Sequence, residues 1–293
     1  MPTSYNEDAL IATLTKDWCM ANPVIIGPGD DCAVLFYNKA LYQLFKTDVV
    51  VEGHHFLPSD HPERIGWKAL ARNVSDIAAM GGYPESALIT LILPNKFKLE
   101  RIQKIYRGIQ KAADAYEIQL AGGETSRGTQ LILSIAMIGL VEKKRLVLRT
   151  GAQTGDLIFV SGKLGGSRAG KHLDFIPRLK EARWLGSHFK PTSMMDLSDG
   201  LASDLPRLAR ASEKSFQLDL SKIPTTPHCS LKEALADGED YELLFTIPPM
   251  FVEKLTQQWS HAFPKTRLTA IGRMDEPDKT NTPLPHGFDH LQL

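Results

Sequence analysis

Strand-like and helix-like segments alternate along the 293-residue chain, which restricts the fold to a mixed α/β architecture. Apolar, β-rich runs occupy 41–51, 86–93, 131–141, 156–161, 216–220, 241–247 and 267–272. Helical periodicity is clearest over 63–80, 99–115, 202–212 and 250–261. A chain of this length with 43% hydrophobic residues buries a sizeable core and has room for two domains. The charged, glycine-containing stretch EKKRLVLRTGAQTGD, 142–156, is the expected linker, dividing 1–141 from 142–293.

Composition narrows the partners. Thirty-four basic residues balance thirty-four acidic ones, so no global positive field points to nucleic acid or an anionic membrane, and the expected partner is small. Cys19, Cys32 and Cys229 are odd in number and lack metal-type spacing, which predicts buried, inert thiols in a reducing compartment. The N-terminus lacks a basic segment ahead of an apolar one, and the apolar run LILSIAMIGLV, 131–141, is too short to span a bilayer. A cytoplasmic location is the expectation.

Acidic residues gather where strands give way to loops. Asp30 and Asp31 follow a Gly-Pro-Gly turn in GPGDDCAV, Asp48 ends an apolar approach in FKTDVVVEGHHF, Glu124 follows Gly122-Gly123, and Asp196 and Asp199 frame the turn in MMDLSDG. Each alone reads equally well as a turn or cap residue. The set points further, because hard divalent cations need carboxylate oxygens from separate segments. Asp76 belongs to the helix RIGWKALARNVSDIAAMGG. There Leu70, Val74 and Ile77 form the apolar stripe, Lys68 and Arg72 face water, and Asn73 and Asp76 lie at the stripe's edge. From that edge Asp76 either looks into a cleft or pairs with Arg72 one turn away. In LAGGETSRG, 120–128, paired glycines let the backbone approach a ligand, with Arg127 available to neutralise an anion; no Walker-type phosphate loop occurs. Ser198 or Asp199 is placed to cap the helix after DLSDG, and Pro206 either kinks that helix or moves its start to about Ser203.

The ordered segments GDDCAV, TDVVVEGHHF, ALARNVSDIAAMGG, GGETSRG, LVLRTGAQTGDLIFVSG, MMDLSDGLASDL and GEDYELLF resemble the thiamine-monophosphate kinase family, within the wider aminoimidazole ribonucleotide synthetase-like superfamily. The resemblance covers nearly the whole chain. It implies an N-terminal ATP- and magnesium-binding domain whose sheet pairs with its twin in a homodimer, and a C-terminal α/β domain closing over ATP. It implies phosphorylation of thiamine monophosphate to thiamine diphosphate by direct in-line transfer, with several Mg²⁺ ions. Position by position it makes Asp31, Thr47, Asp48, Asp76, Glu124, Asp196 and Asp199 magnesium ligands, with Asp48 and Asp199 the principal catalytic carboxylates and Asp30 a supporting charge. Gly123, Arg149 and Ser198 would contact ATP, and His55, Glu239 and Phe288 would wall the thiamine phosphate site. Three departures stand out: Glu124 where the family carries Asp, Lys46 where it carries a small hydroxyl residue, and a short connection between Gly170 and Pro177. The rival expectations are another ATP-dependent synthetase of the superfamily and a catalytically weak nucleotide-binding scaffold.

Overall fold

A computed structural model describes residues 7–287. After α1 (Glu7–Thr15), six strands form one sheet in the order β1-β2-β3-β6-β4-β5: β1 (Val24–Ile26), β2 (Ala33–Phe36), β3 (Leu41–Val51), β4 (Tyr83–Leu93), β5 (Gln119–Arg127) and β6 (Ile132–Glu142). All neighbours are antiparallel except β4 and β5, whose parallel pairing requires the crossover helix α3 (Leu99–Ala115). With α2 (Pro62–Ala79), α3 covers one face of this sheet.

Strand alternation decides which side chains meet those helices. In β3, Leu44 and Val50 are buried, whereas Phe45, Thr47 and Val49 face outward and are exposed. Leu88 of β4 shares that outer face, so a row of apolar side chains remains open to solvent. On the inner side α2 and α3 touch backbone to backbone. A Cβ added at Gly66 would lie 1.9 Å from the Ile105 carbonyl oxygen, and one at Gly108 would lie 1.9 Å from that of Glu63.

The second sheet has the order β8-β10-β7-β11-β9 and is antiparallel throughout: β7 (Leu157–Ser161), β8 (Ser193–Asp196), β9 (Ser215–Leu218), β10 (Leu243–Ile247) and β11 (Leu268–Asp275). Helices cover both faces. Ile158, Val160 and Leu244 pack with α5 (Leu201–Ala211) and α6 (Leu231–Ala236), while Phe159, Leu243 and Phe245 pack with α4 (Leu179–His188) and α7 (Val252–Ala262). Ala78 of α2 joins that second layer, so α2, laid on the first sheet, is also packed against the second half of the chain.

That packing overturns one sequence expectation. Lys68 and Arg72, assigned to water from the helical wheel, are 0% and 8% exposed. A wheel reads a helix against one partner, and α2 has partners on several sides. Arg72 pairs with Asp48 across to β3 at 3.5 Å, and no pair with Asp76 forms. Met80-Gly81 ends α2 as expected, with Gly81 at φ +75°. Pro206 neither delays nor ends α5, which starts at Leu201 behind Gly200 with no side-chain cap from Ser198 or Asp199. The cysteine expectation holds only for Cys32; Cys19 is exposed and Cys229 half-buried. Among the described residues no helix is long and apolar enough to cross a membrane.

Candidate active site

Three carboxylates from distant segments converge. Asp31 follows the GPG turn ahead of β2, Asp76 lies in the last turn of α2, and Asp196 ends β8; one oxygen of each lies within 4.8 Å of the others. All three are buried. Asp31 Oδ1 accepts from Arg149 Nη2 at 2.5 Å, and Asp196 Oδ2 accepts from the Ser75 hydroxyl at 2.5 Å. Asp31 Oδ2 and Asp196 Oδ1 have no hydrogen-bond partner among the described residues. Two buried anionic oxygens with no donor are costly unless a cation sits between them, so this donor set fits a hard divalent ion.

Charge balance around the cluster is uneven. Burial and the neighbouring Asp31 push both Asp30 and Asp196 up to about 7, and burial holds Asp76 well above the usual carboxylate range despite Lys46 beside it. Burial would raise Asp48 as well, but Arg72 and Lys46 outweigh it and hold that carboxyl below its ordinary value. Asp30 works on the backbone: its two oxygens accept from the Asp31 and Arg149 amides, each at 3.0 Å, which ties the GPG turn to the stretch after β6. The 142–156 stretch is thus a packed connection, not a loose one.

The raised carboxyls set a pH dependence. Unfolded aspartates titrate near pH 4, so between about 4 and 7 the folded chain holds more protons than the unfolded one. The resulting stabilisation is complete below about pH 4 and is lost as pH rises through about 7. A divalent ion competes for the same oxygens. The rise in Tm caused by magnesium, measured against EDTA, is therefore expected to be larger at about pH 8 than at about pH 6. Equal shifts at both would place the ion elsewhere.

Other expected residues lie around this centre. A cavity of about 840 Å³ is lined by Lys46, Asp48, Asp76, Arg149, Asp196 and Ser198 among others, with α1 along its rim. Asp8 of α1 reaches Arg207 at 3.1 Å and Arg210 at 2.8 Å. Asp199 also lines the cavity, and its carboxylate is held by Arg207. Glu239 and Tyr241 adopt left-handed backbone, φ +55° and +53°, and their amides donate to Ser198 and Leu197 carbonyls. That strained stitch, of the kind that clusters at functional sites, fixes Glu239 next to the turn after β8. Its carboxylate already has partners: Lys68 Nζ lies 2.6 Å from Oε1, and His172 Nδ1 lies 3.3 Å from Oε2. Lys68 also donates to the His55 carbonyl at 2.6 Å, joining His55 and Glu239 in one network. Lys68, His172, Ser75 and Arg207 escaped the sequence reading. The one signal for Lys68 was the run ALARNVSDIAAM, too apolar for a helix buried on one side only.

Three expected residues are not brought to the centre within one chain: the expected magnesium ligands Thr47 and Glu124, and the expected nucleotide contact Gly123. The row across the sheet runs Asp48, Ile135, Ile89, Gly123, so Gly123 lies three strands from Asp48, about 14 Å at about 4.8 Å per strand. Glu124 belongs to the next row, with Val49, Ser134 and Thr90, and so points with Thr47 to the outer face. It is exposed, and among the described residues its Oε1 accepts only a local bond from Thr125 N at 2.8 Å. Gly123 has a packing reason to be glycine, since a Cβ there would lie 1.8 Å from the Ile89 carbonyl oxygen at φ +156°. Phe288 lies outside the described residues.

Residues 29–141 match the family model described as AIR synthase related protein, N-terminal domain. The thiamine-monophosphate kinase of Aquifex aeolicus is 36% identical over 277 residues, covering 85% of this chain and 86% of that one. That of Bacillus subtilis strain 168 is 35% identical over 309 residues, covering 95% and 94%. The structure of AaThiL complexed with AMPPCP and TMP superposes with a TM-score of 0.82 at 33% identity, covering 97% of both chains. Escherichia coli HypE, a hydrogenase maturation protein, shares the fold at 16% identity and a TM-score of 0.70, covering 85% of this chain and 88% of that one. With one-third identity to named relatives over most of its length, the chain belongs to the thiamine-monophosphate kinase family.

Proposed function

We propose that this chain transfers the γ-phosphoryl group of ATP directly to thiamine monophosphate, giving thiamine diphosphate and ADP, with magnesium and without a covalent enzyme intermediate. The observation that carries this reading is the buried Asp31–Asp76–Asp196 cluster with its two unpartnered oxygens, in a fold that in a one-third-identical relative holds AMPPCP and TMP. Asp31, Asp76 and Asp196, with Asp48 and Asp199 beside them, would hold the ions. Bound magnesium supplies charge neutralisation and alignment of two polyanions that otherwise repel. The chain's own groups do the rest. Arg149, fixed between Asp30 and Asp31, presents a cation at the nucleotide side. Ser198 and Glu239, joined through the backbone, set the distance from the nucleotide side to the acceptor side. The acceptor phosphate is already anionic at neutral pH, so no side chain has to remove a proton from it. Because Lys68 and His172 already hold Glu239, this carboxylate acts toward a thiazolium as part of a neutralised network and not as a free charge.

The same reading covers the outer face of the first sheet with a second copy. Phe45, Val49 and Leu88 are 48%, 40% and 49% exposed there, an apolar face that a second sheet would cover. Glu124 and Thr47 on that face would then complete the partner's site across the interface. The chain would divide at about residue 142, one sheet on each side, and its location would be cytoplasmic. An ADP-release assay offering thiamine monophosphate, thiamine and aminoimidazole precursors in parallel is expected to respond to thiamine monophosphate alone. Release with an aminoimidazole precursor would reassign the chain to another branch of the superfamily.

A further inference from the structure

Lys46 sits inside the carboxylate cluster. It shares the inner face of β3 with Leu44 and Asp48, which directs its side chain at α2. Its ammonium lies 3.0 Å from Asp76 Oδ1, with only 21% of the side chain exposed. Asp48 follows two residues along on the same face of β3, so the ammonium held at Asp76 has a second carboxylate on its own strand. The other end of the cluster is different: there Asp31 Oδ2 and Asp196 Oδ1 are buried and unpartnered.

We propose that Lys46 is a built-in cation that takes the place of one divalent ion at the Asp48–Asp76 end of the cluster, so that divalent binding centres on the Asp31–Asp76–Asp196 end. The inference rests on the metal-binding reading of the cluster given above. Its physical basis is that a compact ammonium with three donors and a single fixed charge satisfies carboxylates at hydrogen-bond distance without needing an ion's coordination shell. It is tethered to β3, so it neutralises its pair permanently, while the unpartnered pair depends on dissolved cations. Fewer divalent ions then have to be collected before ATP and the acceptor can approach each other. The ammonium also prevents a second ion from approaching Asp76 on that side, since like charges at contact distance repel.

The test counts ions and needs no turnover. Manganese, a paramagnetic substitute for magnesium, is titrated into the full-length protein and the free ion read by electron spin resonance. Lys46→Ser is expected to bind one ion more per chain than the parent, and Lys46→Arg the same number as the parent. Lys46→Ser is also expected to melt lower than the parent in EDTA and to regain most of that loss when manganese is added. Equal ion numbers in the parent and Lys46→Ser overturn the proposal, as does an extra ion in Lys46→Arg. A serine variant that does not fold, or whose melting ignores manganese, overturns it too, because the freed carboxylates would then have gained no cation. A parent and variant that both bind no manganese would instead remove the metal reading of the cluster itself, which separates that failure from the failure of Lys46's role.

Discussion

Asp196→Asn is expected to lower kcat/KM by about 10³-fold while raising the Tm of the metal-free protein at about pH 8. The two effects have one cause. Burial and Asp31 lift Asp196 to about 7, so at pH 8 its ionised form is held at a cost that asparagine does not bear. The replacement keeps the shape and retains an oxygen to accept from Ser75. What it removes is a charged oxygen from a site whose main task is charge neutralisation. Asp48→Asn is expected to be as inactive but to melt lower than the parent, because Arg72 and Lys46 favour the Asp48 anion and would be left with excess charge. Kinetics at saturating magnesium and melting in EDTA, on one preparation of each variant, check both signs. An Asp196→Asn protein that melts lower in EDTA, or keeps near-normal turnover, would remove Asp196 from the ion-binding set.

How much of this was legible in the sequence depended on how local the signal was. The long strands β3, β4 and β6 and the helices α2, α3 and α7 declared themselves within a residue or three, because each carries its own periodicity over eleven residues or more. β1, β2 and β8 have three or four residues each and no period to read, and α4 and α6 are short helices stabilised by packing. β5 was legible only as an apolar lead into glycines, yet the strand runs through Gly122 and Gly123 to Arg127, since its partner β4 fixes the backbone regardless of propensity. Asp31, Asp76 and Asp196 could be named through the family resemblance, but their meeting depends on β8 approaching α2 from the other half of the chain. Lys68 shows the converse. A lysine in a helix is assigned to water by default, and only Glu239, 171 positions away, gives it a buried partner.

Glu124 supplies the second large effect, and its test distinguishes one chain from two. Within a chain Glu124 lies on β5, three strands from Asp48 and on the opposite face of the sheet, so it can serve a site containing Asp48 only from a second copy. Glu124→Ala alone is expected to cost about 10²–10³-fold in turnover with little loss of stability, since among the described residues its carboxylate makes only a local bond to Thr125 and is exposed. Mixing equal amounts of inactive Glu124→Ala and inactive Asp48→Asn under conditions that exchange subunits is then expected to restore activity. With the proposed pairing of two copies, random exchange would make about half the dimers mixed, and in each mixed dimer one of two sites would receive an intact Asp48 from one chain and an intact Glu124 from the other, for about one quarter of parental activity. If Glu124 acted within its own chain, every site would carry one defect and mixing would restore nothing. If Glu124 were only a turn residue, the alanine variant would be active before any mixing, and the assignment of the outer sheet face to a shared site would fall with it.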